Sequence, residues 1–400
     1  MTIPIPKELL NKAQLLIPTK TLAPLQKERE SITWALRNPV GSKALKEQVK
    51  STDKIAIIVS DNTRPMPTYK ILPSILEELQ STGIEKQNIS IVFALGIHRA
   101  MTVEEEIQAI GRESVETYET VQPKEYIYLG RTSRNTPIEV CKEVAEADFL
   151  ILTGNIEFHY FAGYSGGYKA LMPGVCSREA IQHNHKMMLD PQAAIGCVDG
   201  NPVREDFEEV GRQFPRSFLI NVVLNSDKEI IHVVAGDPIL AHRSGCMVLD
   251  QCYKVAVPKL ADLVIASSGG YPKDINLYQA QKALENAAKV VKPGGKIVLL
   301  AELRDGFGED TFEEWLLNCE SVNEIISRIE KNFVLGGHKA AAIAKIVKEH
   351  EVLLYSSMED DTVKKAFFTP LRDLKDLSYG DFESIYIIPF GNQTLPEVEE

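Results

Sequence analysis

The run KIAIIVS, residues 54–60, followed at once by DNTRPMP, residues 61–67, decides the fold class. Its unbroken Ala/Ile/Val core lacks the polar alternation of a half-exposed strand and predicts a strand buried on both faces. Asn62, Pro65 and Pro67 stop it in a turn. Residues 68–81, TYKILPSILEELQS, carry helical spacing of apolar positions despite Pro73. ISIVFALG (89–96) is a second strand, and TVEEEIQAIG (102–111) opens like a capped helix, with Thr102 and Glu105 at capping-box spacing. EYIYLG, PIEVCKEVAEA and DFLILTG continue the alternation of strand, helix and strand. This order predicts βαβ units around a largely parallel sheet. Ligands gather at the carboxyl ends of such strands, so the chemistry belongs in the loops DNTRPMP, IHRAMT and NIEFHYFAGYSGGYK.

A second unit begins near residue 258. ADLVIASSGGYPKDINLYQAQKALENAAKVVKPGGKIVLLAE (261–302) reads as strand, Gly-rich turn, long helix, PGG turn and strand. Helical patterns follow at 311–330 and 336–348, then the strands EVLLYSS and SIYIIPFG. The division expected is therefore 1–257 and 258–400, with PEVEE a frayed acidic end or the last residues packing back on the first domain.

Composition narrows the class without naming a reaction. Lys and Arg number 44 against 56 Asp and Glu, a net charge of −12. That balance argues against a nucleic-acid binder and against docking on anionic membranes. No apolar run approaches the ~18 residues of a bilayer span. The start, MTIPIPKELLNKAQ, has no signal-peptide pattern. The cysteines, Cys141, Cys176, Cys197, Cys246, Cys252 and Cys319, include no C-x-x-C pair, so a thiolate zinc site is not expected and a cytoplasmic setting is.

Among the eight histidines, His232, His338 and His350 read as structural. His98 and His159 follow strands in loops and are candidates for acid–base work, because imidazole titrates near neutrality. His183 and His185 form an H-x-H pair, weak evidence for a metal by itself. Gly163–Gly167 is dense in glycine and leads toward a helix start. There Ser165, Gly166 and Gly167 would receive a phosphate together with Thr63. Lys169 is open between a phosphate contact, a nucleophilic amine and a solvated lysine. Asp61 and Arg64 share one loop, as a ribose contact and a carboxylate clamp or as a mutual turn brace. Neither a Walker motif nor a G-x-G-x-x-G fingerprint occurs.

Taken together, DNTRP (61–65), GIHR (96–99), HYFAGYSGGYK (159–169), QHNH (182–185) and GGYPKDINLYQAQK (269–282) resemble the nickel-dependent lactate racemase family. The resemblance implies an α/β protein of two domains, with Rossmann-like parallel-sheet units and an active-site cleft between them. It implies a nickel-pincer nucleotide, a pyridinium mononucleotide whose two sulfur arms and one ring carbon hold nickel, tethered to Lys169 through a thioamide. His185 becomes the protein's nickel ligand, and His98 and His159 the paired acid–base groups. Arg64, Gln279 and Lys282 become substrate-binding groups, with Tyr278 lining the site and Asp61 touching the nucleotide. The expected partners are a small 2-hydroxy acid and the enzymes that synthesise the cofactor.

The activity implied is racemisation or epimerisation of a 2-hydroxy acid, with lactate the default and malate, a longer aliphatic hydroxy acid or an aldonate served by the same residues. Its α-hydrogen is poorly acidic, so removal as hydride with a base on the hydroxyl is the easier route. Two other readings stand beside it. One is a metal-dependent hydrolase or lyase using His98, His159, His183 and His185 without a nucleotide. The other is a nucleotide or metal carrier without turnover.

Overall fold

The computed structural model describes residues 4–399, apart from Thr19, Thr21 and Leu335. The chain divides into two compact units, Leu22–Gln251 and, in two pieces, Met1–Thr21 with Cys252–Glu400.

In the first unit a six-stranded sheet runs in the order Ile230–Gly236, Ser217–Leu224, Phe149–Ile156, Ile55–Ser60, Ile89–Ala94, Glu119–Val121. All neighbours are parallel except the edge pair Ser217–Leu224 with Ile230–Gly236. Ile57, Ile58 and Val59 are fully shielded from water, each contributing about 1.5–3 kcal/mol of hydrophobic stabilisation. Phe149–Ile156 is buried along its whole length. Of its two polar side chains, Thr153 and Asn155, Thr153 donates its hydroxyl to the Ile58 carbonyl at 2.9 Å, which offsets the cost of burying it. The helix Thr68–Gln80 forms despite Pro73, and Val103–Ile110 starts in the expected capping box of Thr102 and Glu105. From Ile55–Ser60 the chain builds outward to one side through Ile89–Ala94, then returns to the other side at Phe149–Ile156. The switch point thus lies between these two central strands, and their C-terminal loops begin at Asp61 and Glu157.

One expectation fails here. EYIYLG and PIEVC do not join the parallel sheet: Tyr126–Arg131 and Pro137–Cys141 pair antiparallel as a separate hairpin. Only Lys142–Ala145 is helical, because Pro137, Ile138 and Val140 favour extended backbone.

The second unit holds an all-parallel sheet in the order Ala13–Leu15, Ile385–Ile388, Ala261–Ser267, Val291–Leu300, Glu351–Tyr355, Thr369–Leu371. The N-terminal segment belongs here and not with residues 22–251, because Ala13–Leu15 completes the sheet edge beside Ile385–Ile387. The division near the middle falls at Gln251, ahead of the expected residue 257. Leu395–Val398 pairs with Lys254–Val257 inside this same unit, so most of the tail expected to fray, or to pack on the first domain, is a strand. Pro293-Gly294-Gly295 lies within Val291–Leu300, bulging where the register jumps from Ala261↔Val291 to Leu263↔Lys296. This unit's switch point lies between Ala261–Ser267 and Ile385–Ile388, and the loop after the first of these leads into the helix Leu277–Ala288.

Candidate active site

The loop after Ile55–Ser60 begins with Asp61, a buried carboxylate. Its Oδ2 accepts from His98 Nδ1 at 2.6 Å and its Oδ1 accepts from the Thr63 hydroxyl at 2.8 Å. An ionised carboxylate has no proton to donate, so His98 carries its proton on Nδ1 and its lone pair on Nε2. Burial alone would raise the Asp61 pKa, but the His98 and Thr63 hydrogen bonds outweigh it and hold the group below the ordinary 3.8. Asp61 was expected to touch a nucleotide, and Thr63 a phosphate. The structure commits the Asp61 carboxylate to His98 and the Thr63 proton to Asp61. Arg64 is exposed on the same loop, and its amide closes the turn on the Asp61 carbonyl at 3.3 Å.

The loop that carries His159 and Lys169 is fixed from within. Gly163, at φ +75, lies so close to Cys197 that an added Cβ would stand 1.9 Å from the Cys197 carbonyl oxygen. The fully buried Arg204 donates from Nε to the Ala162 carbonyl at 3.3 Å, from Nη1 to the Gly166 carbonyl at 3.1 Å, and from Nη2 to the Tyr164 carbonyl. Buried His242 donates from Nε2 to the Ser165 carbonyl at 2.8 Å. Burial, with Arg204 beside it, pushes the His242 pKa well below the ordinary 6.5, which keeps it neutral. The Gly167 amide donates to Asn221 Oδ1 at 2.9 Å, and the Ser165 hydroxyl donates to the Asn155 carbonyl at 2.7 Å. The Ser165 hydroxyl and the Gly167 amide, two of the donors expected to meet a phosphate, are thus engaged with the protein itself. No α-helix starts here, since Gly167–Ala170 is a single 3₁₀ turn.

His159 Nδ1 accepts from the Ala162 amide at 3.3 Å, which places the neutral ring's proton on Nε2. His159 and His185 both pack edge-on to the Phe161 ring, with centroids 4.6 and 5.0 Å away. His185 lies in the helix Arg178–Lys186, capped by Ser177. Its Nδ1 meets Asn184 Oδ1 at 3.1 Å, and buried Asn184 donates from Nδ2 to Asp206 Oδ2 at 2.8 Å. The Asp206 carboxylate fixes the amide orientation, so Oδ1 faces His185 and accepts its Nδ1 proton. The lone pair then sits on Nε2, and a backing oxygen on Nδ1 is the usual support of a metal-bound imidazole. His183 differs: its Nε2 donates to the Arg134 carbonyl at 3.3 Å.

Burial of the Lys169 amine, then Arg64, then Arg204, lowers its pKa from the ordinary 10.5 to about 7, while Glu157 and Asp61 pull the other way. A substantial uncharged fraction at neutral pH suits an amine that forms a covalent bond. Among the described residues no three His, Cys, Asp or Glu side chains gather as metal ligands. One backed imidazole and one activated amine fit a metal that arrives with most of its own donors.

In the second unit, Asn276 caps the helix Leu277–Ala288 by accepting from the Gln279 amide at 3.0 Å. Gln279 and Lys282 are three residues apart and share a helix face at this electropositive end. The Tyr278 ring meets Phe312 edge-on at 5.4 Å, and the Lys339 ammonium sits 3.8 Å from its centroid. Lys339 also donates to the Tyr278 carbonyl at 2.6 Å.

Sequence reasoning missed Asn184, Asp206, Asn201, Arg204, Asn221 and His242. Asn184 stands inside the quoted HNH triplet and was within reach. Arg204, in PVREDFEE, has the look of an ordinary exposed helical residue.

Histidines and a lysine of lowered pKa in the loops beyond a mostly parallel sheet place the first unit among α/β proteins with acid–base groups at the carboxyl ends of their strands. Residues 1–196 match the profile of the lactate racemase N-terminal domain and residues 256–378 that of the lactate racemase C-terminal domain. The lactate racemase of Thermoanaerobacterium thermosaccharolyticum is 33% identical over 359 residues, covering 87% of this chain and 84% of the relative. That of Lactiplantibacillus plantarum is 34% identical over 345 residues, covering 83% and 81%. The solved lactate racemase apoprotein from T. thermosaccharolyticum superposes with a TM-score of 0.88 at 30% identity, covering 100% of this chain and 97% of that one. A Thermotoga maritima protein at 17% identity and TM-score 0.64 shares the fold. The chain belongs to the lactate racemase family, and it is an isomerase.

Proposed function

We propose that this chain racemises or epimerises a 2-hydroxy acid, lactate first among them, with a nickel-pincer nucleotide held by Lys169 and His185. The observation that carries this reading is the complementary state of two histidines. Asp61 holds His98 with a lone pair on Nε2, ready to accept a proton. The Ala162 amide holds His159 with a proton on Nε2, ready to give one. Inverting a carbinol centre through a flat keto acid needs that pair: one group takes the hydroxyl proton, and the other returns a proton to the same oxygen once the opposite face is presented.

When bound, the cofactor supplies reversible acceptance of the α-hydrogen as hydride. The chain's own residues do the rest. On the first unit Arg64 is the cation for a carboxylate; on the second, Lys282, Gln279 and Tyr278 are the substrate-binding groups, Gln279 and Lys282 on one helix face. The Lys169 amine, uncharged in part at neutral pH, makes the tether, and His185 Nε2 takes nickel while Asn184 steadies the ring. Loading requires cofactor-synthesis enzymes, and the six free thiols suit a reducing, cytoplasmic setting. No helix among the described residues is long and apolar enough to cross a membrane.

The test is to co-express the chain with a complete set of cofactor-synthesis enzymes, verify nickel and an adduct on the Lys169 peptide by mass spectrometry, and assay a panel of chiral 2-hydroxy acids. Inversion of at least one is expected. Loaded protein that inverts none overturns the proposal.

A further inference from the structure

Arg204 is the largest side chain in the protein with essentially no exposure. Burying a guanidinium is costly unless its charge is matched, yet no carboxylate among the described residues lies within ion-pair distance of it. Its three hydrogen bonds go to the backbone carbonyls of Ala162, Tyr164 and Gly166, and it lies 5.4 Å from the Phe207 ring centroid. Burial lowers its pKa to about 10, with Cys246 and Glu208 acting against that fall and Arg243 with it, so it is a cation at neutral pH without an ion-pair partner. Asn201 fixes the helix bearing it, accepting from the amides of Val203 and Arg204 and donating to the Phe161 carbonyl at 2.9 Å. A neutral donor would satisfy carbonyls at lower cost, so the retained charge calls for a further use.

We propose that Arg204 is the positioning residue of this site: its guanidinium rivets the segment between His159 and Lys169 by three carbonyls, and its charge, held without an ion pair, primes the Lys169 amine for bond formation. The charged groups that act on Lys169 are Arg64 and Asp61 from one loop, Glu157 at the end of the central strand, and Arg204 from the helix Pro202–Gly211. Arg64 is exposed and screened by water, whereas Arg204 is dry and held in place. The two cations outweigh the two carboxylates. The inference rests on Lys169 being the residue that bonds the cofactor, but its test does not need the cofactor.

The test is competitive acetylation of the unloaded full-length chain with acetic anhydride over a pH series, following the Lys169 peptide by mass spectrometry. The Nζ lone pair forms a C–N bond at one carbonyl, the anhydride C–O bond breaks, acetate leaves and the amine proton passes to solvent. The rate therefore reports the uncharged amine. Half-maximal reaction near pH 7 is expected for the wild type. Arg204→Gln keeps two amide N–H donors, enough for two of the three carbonyls, and removes the charge. Its midpoint should rise by roughly one pH unit, slowing acetylation at neutral pH about tenfold. Arg204→Lys keeps the charge and should keep the wild-type midpoint. A wild-type midpoint in folded Arg204→Gln overturns the proposal. If circular dichroism shows that the glutamine variant does not fold, Arg204→Lys decides, since a raised midpoint there overturns it equally. Loaded wild-type protein without an adduct on Lys169, together with an acetylation profile that follows the charge at position 204, would sink the tether and leave the role of Arg204 standing.

Discussion

Replacing Asp61 with asparagine leaves shape unchanged and alters one hydrogen bond in a predictable sense. The Thr63 hydroxyl donates to Oδ1 at 2.8 Å, so the asparagine carbonyl oxygen takes that position and the amide NH₂ faces His98. An NH₂ can only donate, so His98 Nδ1 must accept and the ring proton moves to Nε2. His98 then enters the cycle unable to take the hydroxyl proton. A positioned general base contributes about 10²–10⁴ in rate, and the loss should fall in that range. Enantiomers have equal free energy, so kcat/KM must drop by the same factor from either one. Because Asp61 is held below 3.8, it is ionised throughout the neutral range, and the pair with His98 is lost only as pH falls through that lowered value. The assay is initial rate by chiral chromatography from each pure enantiomer, normalised to cofactor occupancy. A folded, equally loaded Asp61→Asn protein within a few-fold of wild type would refute the reasoning.

Two further outcomes follow. The folded pKa of Lys169 lies below its unfolded value, so the unfolded chain binds the extra proton between about 7 and 10.5, and stability rises with pH across that window. In unloaded protein, Lys169→Met should raise the melting temperature by a few degrees at pH 7 and below, with the gain fading toward pH 10.5. A gain independent of pH would contradict the assignment. Asn184→Leu removes the oxygen behind His185 Nδ1 and should weaken nickel retention about 10–100-fold, measured as metal released to a chelator. Unchanged release would show that Asn184 does not support the ring.

Much of the fold was legible because buried parallel strands are written as continuous apolar runs. IAIIVS, ISIVFA and FLILTG all lie in strands; the first ends at its expected loop, the second two residues before it, and the third runs two residues into it. His98, His159, Lys169 and His185 can be singled out as candidates from sequence, since each stands in a loop or short motif with few structural uses. What stayed hidden depends on contacts distant in sequence. Ala13–Leu15 joins a sheet whose other strands begin at residue 261, and nothing in AQL announces it. The role of Asp61 depends on His98, 37 residues away. The Gly-rich loop looked like a phosphate cradle because glycine and serine serve both purposes. That the carbonyls of Asn155, Ala162, Tyr164, Ser165 and Gly166 accept from Ser165, Arg204 and His242 depends on residues far along the chain and could not be read from the loop itself.

The central claim is that the α-hydrogen leaves and returns as a hydride while His98 and His159 handle only the hydroxyl proton. It is tested most directly by giving loaded protein a 2-hydroxy acid deuterated at its α-carbon in ordinary water and analysing the opposite enantiomer by mass spectrometry. Retention of deuterium in the inverted product is predicted. Loss of the label to solvent at the rate of inversion would mean that a base takes the α-hydrogen as a proton, and would contradict the account.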